Sequence, residues 1–303
     1  MQNKQMIQIE QISKSYNAHA ALKQASFKVD RGELFGLIGP DGAGKTTLIR
    51  ILMTLLLPDS GKAHIGQWDV VKDYRKIRQH VGYMPGNFSL YRDLTVEENL
   101  RFFASVFGTN IKTHYHLIKP IYEQIEPFKN RRAEKLSGGM KQKLALSCSL
   151  IHRPELLLLD EPTTGVDAVS RQEFWQMLGT MKEHGITVLV STPYMEEADL
   201  CDRVALIQNG EILEVASPKN IVDHFSSHLY RIKGKERLGL INALRSLSLF
   251  TKVYPFGEYI HCTSDEAVEP VVISQQLGQL GMDEIVIEAA LPGIEDRFIE
   301  LMA

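Results

Sequence analysis

Residues 34–47 read Leu-Phe-Gly-Leu-Ile-Gly-Pro-Asp-Gly-Ala-Gly-Lys-Thr-Thr, and this stretch decides the fold class of the chain. Its first five residues form a short apolar run, which is typical of a buried strand. A glycine-rich loop follows, and we predict that a helix then extends from Lys45 to Leu57. A strand, a glycine-rich loop and a helix in this order begin a parallel α/β unit.

The glycine-rich loop matches the pattern Gly-x-x-x-x-Gly-Lys-Ser/Thr of a phosphate-binding P-loop. Glycines let backbone N–H groups surround phosphate oxygens, and the following helix N-terminus adds partial positive charge. In such a loop Lys45 neutralises the β- and γ-phosphates, and the hydroxyl of Thr46 is a ligand for Mg²⁺. The alternative is a glycine turn with an incidental lysine, which the flanking strand and helix disfavour.

Two carboxylates follow a second apolar run. Residues 156–159 are four leucines, and Asp160 and Glu161 come directly after them. For phosphoryl transfer to water, Asp160 is suited to holding Mg²⁺ through water and Glu161 to polarising the attacking water. The alternative is a strand followed by an ordinary acidic turn.

A second candidate anion site begins at Ser137. The stretch Leu136-Ser137-Gly138-Gly139-Met140 suits the N-cap of a helix that ends near Leu150. Two glycines at this point allow a phosphate to approach the backbone closely. The alternative is an ordinary helix cap with flexible glycines.

The three motifs together, in this order, resemble the ABC ATPase family over roughly residues 5–220. Leu-Ser-Gly-Gly-Met is similar to the family signature, whose last residue is usually Gln. Residues 164–167 match the family's D-loop. Tyr16 matches the aromatic residue that stacks on adenine, although a surface tyrosine is an equal alternative. The resemblance implies a nucleotide site made of the following residues: Tyr16, Gly39, Pro40, Asp41, Gly42, Ala43, Gly44, Lys45, Thr46, Thr47, Ser137, Gly138 and Gly139.

The resemblance also implies a mechanism. Glu161 and Lys45 are the catalytic residues, and Thr46 and Asp160 bind Mg²⁺. Two subunits enclose two ATP molecules, and the signature of each closes over the P-loop of the other. Closure drives separate integral membrane permease subunits, which dock near Phe88–Leu100. The pair is a homodimer or a heterodimer with a second ABC ATPase.

Three positions depart from the family pattern. Gly86 stands where the family has a glutamine, and Pro193 stands where it has a switch histidine. Proline lacks even a backbone N–H to donate. Asp41 replaces the usual asparagine and adds a negative charge near the phosphates. These departures favour a weakened ATPase that serves a partner's active site, with a fully active homodimer as the alternative.

The pattern along the chain predicts two domains. Residues 1–225 form the ABC ATP-binding domain, in which the helical subdomain covers about 94–150 and includes helices Val96–Phe107 and Tyr115–Phe128. Residues 226–303 follow the order βαββαβ of ferredoxin-like modules, and a final helix is predicted over Ile294–Met302. This α+β extension resembles those of drug- or antibiotic-export subunits. Interface stabilisation is our interpretation of its role, with binding of a regulator as the alternative.

The composition excludes several other classes. The formal net charge is −3, whereas nucleic-acid binders usually have a basic surface, so we expect no nucleic-acid partner. The three cysteines have no disulfide or zinc spacing. No apolar run approaches the roughly 20 residues of a membrane-spanning helix. Together with the resemblance, which implies membrane partners, this leads us to expect a cytoplasmic protein, peripheral on the inner face of the cell membrane.

Two further alternatives remain from other classes. Soluble ABC proteins that act on ribosomes or DNA carry two ATPase units or long coiled-coil insertions, and this sequence has neither. A regulatory or scaffolding pseudo-ATPase without a transporter is the other alternative. Copurification with an integral membrane protein would discriminate against it.

Overall fold

The computed structural model describes residues 4–87 and 89–302, and the chain divides into two compact units between Lys219 and Asn220. The predicted boundary after residue 225 lies just beyond the short helix that contains this division. The first unit contains, in chain order, β1 Gln5–Tyr16, β2 His19–Asp30, β3 Leu34–Ile38, α1 Lys45–Leu52, β4 Ser60–Ile65, β5 Trp68–Asp69, α2 Tyr74–His80, β6 Val81–Met84, α3 Val96–Val106, α4 Tyr115–Tyr122, α5 Gly138–Leu150, β7 Leu156–Asp160, α6 Ala168–Glu183, β8 Thr187–Thr192, β9 Arg203–Gln208 and β10 Glu211–Ala216, and α7 Pro218–Asp223 follows.

The central sheet of the first unit has the strand order β10-β9-β3-β8-β7-β6. Strands β6, β7, β8, β3 and β9 are parallel, and β10 pairs antiparallel with β9 through the Asn209-Gly210 turn. Every residue of β3, β7 and β8 is buried, as expected for strands covered on both faces. The loops after β3, β6, β7 and β8 therefore meet at one edge of the sheet, where ligands of open α/β sheets bind.

A second sheet, with the order β2-β1-β4-β5, is antiparallel. Its apolar residues share a core with the central sheet and α1; Ile7, Phe27 and Leu48 are among its buried members. This packing fixes α1, and with it the loop between β3 and α1, against two sheets.

Helices α3, α4 and α5 lie between β6 and β7 in the chain and form the predicted helical subdomain. Helix α3 begins with a capping box, in which the Thr95 hydroxyl accepts from the Glu98 N–H and the Glu98 carboxylate accepts from the Thr95 N–H. Ser137 caps α5, as its sequence suggests.

The second unit consists of β11 His228–Lys233, α8 Arg237–Ser246, β12 Lys252–Phe256, β13 Tyr259–Ser264, α9 Pro270–Gln279, β14 Val286–Ala289 and α10 Ile294–Leu301. The sheet is antiparallel with the order β12-β13-β11-β14. The predicted βαββαβ order is confirmed, and so is the predicted helix that follows it, which is α10. Lys252 donates to the terminal carbonyls of α10 at Ile299, Glu300 and Met302, which compensates the negative end of the helix.

Two predicted helices were too long. Helix α1 ends at Leu52 rather than Leu57, because Thr54 adopts a left-handed conformation (φ 60°) and the N–H of Leu55 donates to the carbonyl of Arg50. This is the helix-ending pattern that usually uses glycine. Helix α4 ends at Tyr122 rather than Phe128, and a separate 3-10 turn covers Glu126–Phe128. Pro127 lacks an N–H and disfavours helical geometry in the residue before it.

Candidate nucleotide site

The loop between β3 and α1 requires its glycines. A Cβ added at Gly39 would lie 2.0 Å from the carbonyl oxygen of Ile207, so no side chain fits there. Gly44 has a φ of 105° and would place a Cβ 2.4 Å from the carbonyl oxygen of Ala21. The loop is therefore pressed against β9 and β2, and its shape is set by backbone packing rather than by side chains.

Lys45 is the first residue of α1 and is 3% exposed. Its ammonium group donates to the carbonyl oxygens of Gly39 at 2.7 Å and Pro40 at 2.9 Å, and it lies 3.1 Å from the carboxylate of Glu161. The positive charge is thus held at the centre of the loop. An ammonium fixed in this position is suited to neutralising phosphate oxygens.

Asp160, the last residue of β7, accepts two hydrogen bonds at one carboxylate oxygen. The donors are the hydroxyls of Thr46 at 3.0 Å and Ser191 at 2.8 Å. Asp160 is buried, and Ser191 is fully buried. Carboxylate and hydroxyl oxygens are the ligands that Mg²⁺ prefers, so Thr46 and Asp160 fit that ion as the sequence predicts.

Glu161 has an unusual backbone. Its φ is 49°, in the left-handed region, which is strained for a residue other than glycine. Its N–H donates to both the carbonyl and the hydroxyl oxygen of Ser191. Strand β7 ends at the preceding residue, Asp160, and the Glu161 carboxylate lies beside Lys45.

Ser191 links both carboxylate residues, and sequence reasoning had given it no role. The signal was present, because Ser191 is a polar residue at the end of a buried strand next to the strand that ends in Asp160. A buried hydroxyl needs a partner, and the neighbouring carboxylate is the nearest acceptor.

The three departures from the family pattern lie on loops at this edge. Gly86 follows β6, and a Cβ at this position would lie 3.1 Å from the carbonyl oxygen of Asp160. Pro193 directly follows β8, two residues after Ser191. Asp41 is an exposed residue of the P-loop. Residue 86 therefore packs against the end of β7, without a side chain.

Tyr83 of β6 lies near the same carboxylate. Burial raises the pKa of its phenol, the negative charge of Asp160 raises it further, and Arg50 opposes both effects. The phenol consequently stays protonated at neutral pH and acts as a neutral wall of the site.

The remaining predicted residues lie elsewhere. Ser137 begins α5 and accepts from the N–H of Met140 at 3.3 Å, and a Cβ at Gly139 would lie 2.6 Å from the hydroxyl of Ser170 in α6. Within residues 4–87 and 89–302, no hydrogen bond or ion pair joins Ser137–Gly139 to the P-loop. Tyr16 lies at the end of the β1–β2 hairpin and is 44% exposed. The resemblance assigns Ser137–Gly139 to a second subunit's ATP, and this assignment stays a prediction.

A cleft of about 210 Å³ separates the end of β6 from helices α3 and α5. Its lining includes Met84, Phe103, Phe107, Cys148 and His152. The His152 ring stacks on Phe107 with centroids 3.7 Å apart, and burial lowers the pKa of His152 to about 4. Burial also raises the pKa of the Cys148 thiol, so His152 and Cys148 are both neutral at physiological pH, whereas Arg78 in the lining is cationic. The cleft adjoins the segment predicted to meet the membrane partner, although Phe88 itself lies outside the described residues.

A family model described as "ABC transporter" matches residues 22–164, which include both the P-loop and Asp160–Glu161. The Nod factor export ATP-binding protein I of Burkholderia pseudomallei is 35% identical over 299 residues, which cover 97% of this chain and 96% of that protein. The chain belongs to the ABC transporter ATP-binding proteins.

Other members of this family show different lengths. The probable multidrug ABC transporter ATP-binding protein YbhF of Escherichia coli is 42% identical over 218 residues, but the match covers 71% of this ABC protein and only 38% of YbhF. A solved dimeric ATP-binding cassette in a post-hydrolysis state with ADP and phosphate is 26% identical, with a TM-score of 0.64 over 70% of this chain and 98% of that cassette. In the described part of this ABC protein, no helix is long and apolar enough to cross a membrane.

Proposed function

We propose that this chain is the ATP-binding subunit of an exporter, and that it holds ATP–Mg²⁺ at its own P-loop while hydrolysis there stays at the background rate. A second ABC ATPase and integral membrane permease subunits complete the transporter. The observation that carries the proposal is the position of Gly86. Residue 86 lies against Asp160, where a glutamine amide would reach the phosphate site, and glycine supplies no amide.

Nucleotide binding relies on residues that retain their groups. Lys45, which lies beside Glu161, would neutralise phosphate charge, and Thr46 and Asp160, which are hydrogen-bonded to each other, would hold Mg²⁺. When bound, Mg²⁺ neutralises charge on the β- and γ-phosphates. Glu161 orients the attacking water and accepts its proton, and Ser191 holds Glu161 and Asp160 in register.

ATP hydrolysis is the step that the three departing residues slow. The site lacks an amide at residue 86 and an imidazole at residue 193, and Asp41 adds negative charge near the phosphates. Loss of one preorganised polar contact lowers a rate by about 10²–10³ in comparable enzymes. Loss of two such contacts reduces hydrolysis close to background, while the charged groups that bind ATP remain.

The signature residues serve the opposite site. Ser137, Gly138 and Gly139 are intact and would close over ATP held by the partner ATPase. The dimeric cassette with ADP and phosphate supports a paired arrangement. Such a chain acts as a clamp on one side of the dimer and as an activator on the other.

The proposal of export is supported by the similarity to a protein named for Nod factor export. The proposal of coupling to membrane subunits is supported by the largely apolar cleft beside Phe103 and Phe107. The protein is expected at the inner face of the membrane through its permease partners. The second unit then contributes to interface stability, as a module outside the ATP site.

A fully active homodimer is the second candidate. The intact contact between Lys45 and Glu161 favours it, because the base and the phosphate-binding lysine are both in place. The two candidate functions differ in which chains form the transporter. The weakened ATPase needs a second, different ABC ATPase chain, whereas the active homodimer does not.

The experiment is purification of the tagged chain from its native membranes in mild detergent, followed by identification of stoichiometric partners. We expect an integral membrane protein and a second ABC ATPase that has glutamine and histidine at the two departing positions. Recovery of membrane subunits with this chain as the only ATPase would favour the homodimer. Recovery without any membrane protein would contradict a transporter role.

A further inference from the structure

A second cavity lies at the opposite edge of the central sheet from the P-loop. It is about 280 Å³ in volume and is bordered by residues just before β7 and at the start of β8, among them Glu155 and Thr187. This volume is far more than one water molecule needs. Because the P-loop lies at the carboxyl ends of the strands, the cavity at their amino ends is separate from the ATP site.

The cavity is lined by more cationic groups than anionic ones. Arg31, Arg153, His116 and His184 contribute to its walls, and Glu155 is the one carboxylate residue of its described lining. Arg31 forms an ion pair with Glu155 at 2.9 Å. In the described part of the chain, the guanidinium of Arg153 has no ion-pair or hydrogen-bond partner. The local charge is therefore positive even when both imidazoles are neutral.

Two of these groups, those of Arg153 and His184, lie on turns that directly follow helices. Arg153 has a φ of 55°, its N–H donates to the carbonyl of Leu150, and Pro154 follows, so the chain turns sharply after α5. His184 directly follows α6 with a φ of −79°, and its N–H donates to the carbonyl of Thr180. The floor is apolar and includes the buried residue Ile186. Arg31, His116, Arg153 and His184 are all exposed residues, and they line one cavity from four separate segments.

We propose that this cavity binds a small phosphate-type oxyanion, held by the guanidinium groups of Arg153 and Arg31 and by ring N–H groups of His116 and His184. Guanidinium groups match phosphate oxygens with paired N–H donors, and an imidazole donates in either protonation state. A metal ion is a poor alternative, because the described residues contain no group of three or more His, Cys, Asp or Glu side chains placed to bind one.

Binding here would connect two parts of the first unit. His116 belongs to α4 of the helical subdomain, whereas Arg31, Arg153 and His184 belong to turns of the α/β core. An oxyanion bound by both sets holds the helical subdomain to the core at the end remote from ATP. The site therefore provides a means for a phosphate compound to restrain that subdomain.

The test is an NMR titration of the full chain with inorganic phosphate at neutral pH, observed at the histidine rings. His116→Gln and His184→Gln assign the two ring signals, and sodium chloride at equal ionic strength is the salt control. Both signals should shift together and saturate with one Kd, while the ring signal of His228 in the second unit stays unchanged. Arg153→Gln should weaken this Kd about tenfold, the effect of losing one charge-assisted contact, whereas Arg237→Gln on α8 should not alter it.

A second arm identifies the source of the oxyanion. Vesicles of phosphatidylglycerol replace free phosphate in the same titration. Saturable shifts with free phosphate support a soluble ligand, and shifts with vesicles alone support a lipid headgroup. Absence of saturable shifts in both arms, or a Kd that is the same in the wild type and Arg153→Gln, would overturn the proposal. His184→Gln provides a second variant, with the His116 signal as its readout, should Arg153→Gln fail to fold.

Discussion

The ammonium nitrogen of Lys45 lies 3.1 Å from the Glu161 carboxylate, and this contact joins the P-loop to the end of β7. The Lys45 side chain is 2% exposed and that of Glu161 is 23% exposed, so Lys45 is buried while Glu161 remains partly accessible to solvent. A phosphate that enters the loop competes with Glu161 for the same ammonium. The group that we propose to bind ATP and the group that we propose to orient water are therefore in contact when no nucleotide is bound.

Restoring the two missing side chains should raise ATP turnover. We expect the double variant Gly86→Gln, Pro193→His to hydrolyse ATP at least about tenfold faster than the wild type, because each restored group contacts the γ-phosphate region. Steady-state phosphate release measures the effect. A Cβ at residue 86 lies 3.1 Å from the Asp160 carbonyl, so a small backbone shift accompanies the change.

Gly86→Ala is the matched control for this pair. It introduces the same Cβ contact without an amide, so any effect of the backbone shift appears in both variants. Equal rates for Gly86→Ala, the double variant and the wild type would show that these positions do not limit hydrolysis.

Ser191 should matter to both stability and metal binding. Ser191→Ala removes one donor to Asp160 and one acceptor for the Glu161 N–H, and we expect a loss of about 1–3 kcal/mol in the free energy of unfolding. The Mg²⁺ dependence of ATP binding should also weaken. Denaturant titration followed by tryptophan fluorescence reports on the first unit, because Trp68 and Trp175 both lie in it.

Ser149→Ala serves as the comparison, since that buried hydroxyl only donates to the carbonyl of Leu146 within α5. It should alter stability less and leave the Mg²⁺ dependence unchanged. If the two serine variants behaved alike in Mg²⁺ titrations, the assigned role of Ser191 would be wrong.

Two glycines should respond to alanine in opposite directions. Gly39→Ala places a Cβ 2.0 Å from a backbone carbonyl and should destabilise the first unit by about 3 kcal/mol. Gly179→Ala in α6 meets no atom within 4 Å and should stabilise by about 0.5–1 kcal/mol, because alanine favours the helix. The same fluorescence titration compares them, and destabilisation by Gly179→Ala would contradict this reading of the packing.

His152 should make the first unit sensitive to acid. Its pKa is about 4 when folded, against about 6.5 when exposed, so the unfolded chain binds a proton more readily between these values. The stability contributed by neutral His152 is complete above about pH 6.5 and falls as the pH drops towards 4, by up to about 3 kcal/mol. Unfolding free energies measured across this range should decline less steeply in His152→Phe, which keeps an aromatic ring beside Phe107.

His228→Phe is the control for the acid experiment, because that histidine is exposed on β11 of the second unit. It should leave the pH dependence of the tryptophan signal unchanged. Parallel pH profiles for the wild type and His152→Phe would contradict the assignment of acid sensitivity to this ring.

The sequence predicted the parts of the site in which motif and strand coincide. Strand β3 has the predicted bounds, and Lys45, Thr46, Asp160 and Glu161 lie together because parallel strands end at one edge. Short apolar runs that end in glycine-rich or acidic turns are typical of buried parallel strands in an α/β protein, and the loops after such strands meet at one edge.

Other features depended on contacts between segments distant in the chain. The left-handed backbone of Glu161 is held by Ser191, thirty positions away, and no local pattern reports it. The early end of α1 depends on Thr54, a residue that rarely adopts a positive φ. The cationic cavity around Arg153 is formed by four segments and has no sequence motif.

The most direct test of the account is steady-state ATP hydrolysis by the purified chain beside Glu161→Gln, with ATP affinity measured in parallel. We predict that both proteins bind ATP–Mg²⁺ and that wild-type turnover does not exceed the Glu161→Gln background. Clear turnover that Glu161→Gln abolishes would contradict the account, because Glu161 would then be a working base despite Gly86 and Pro193.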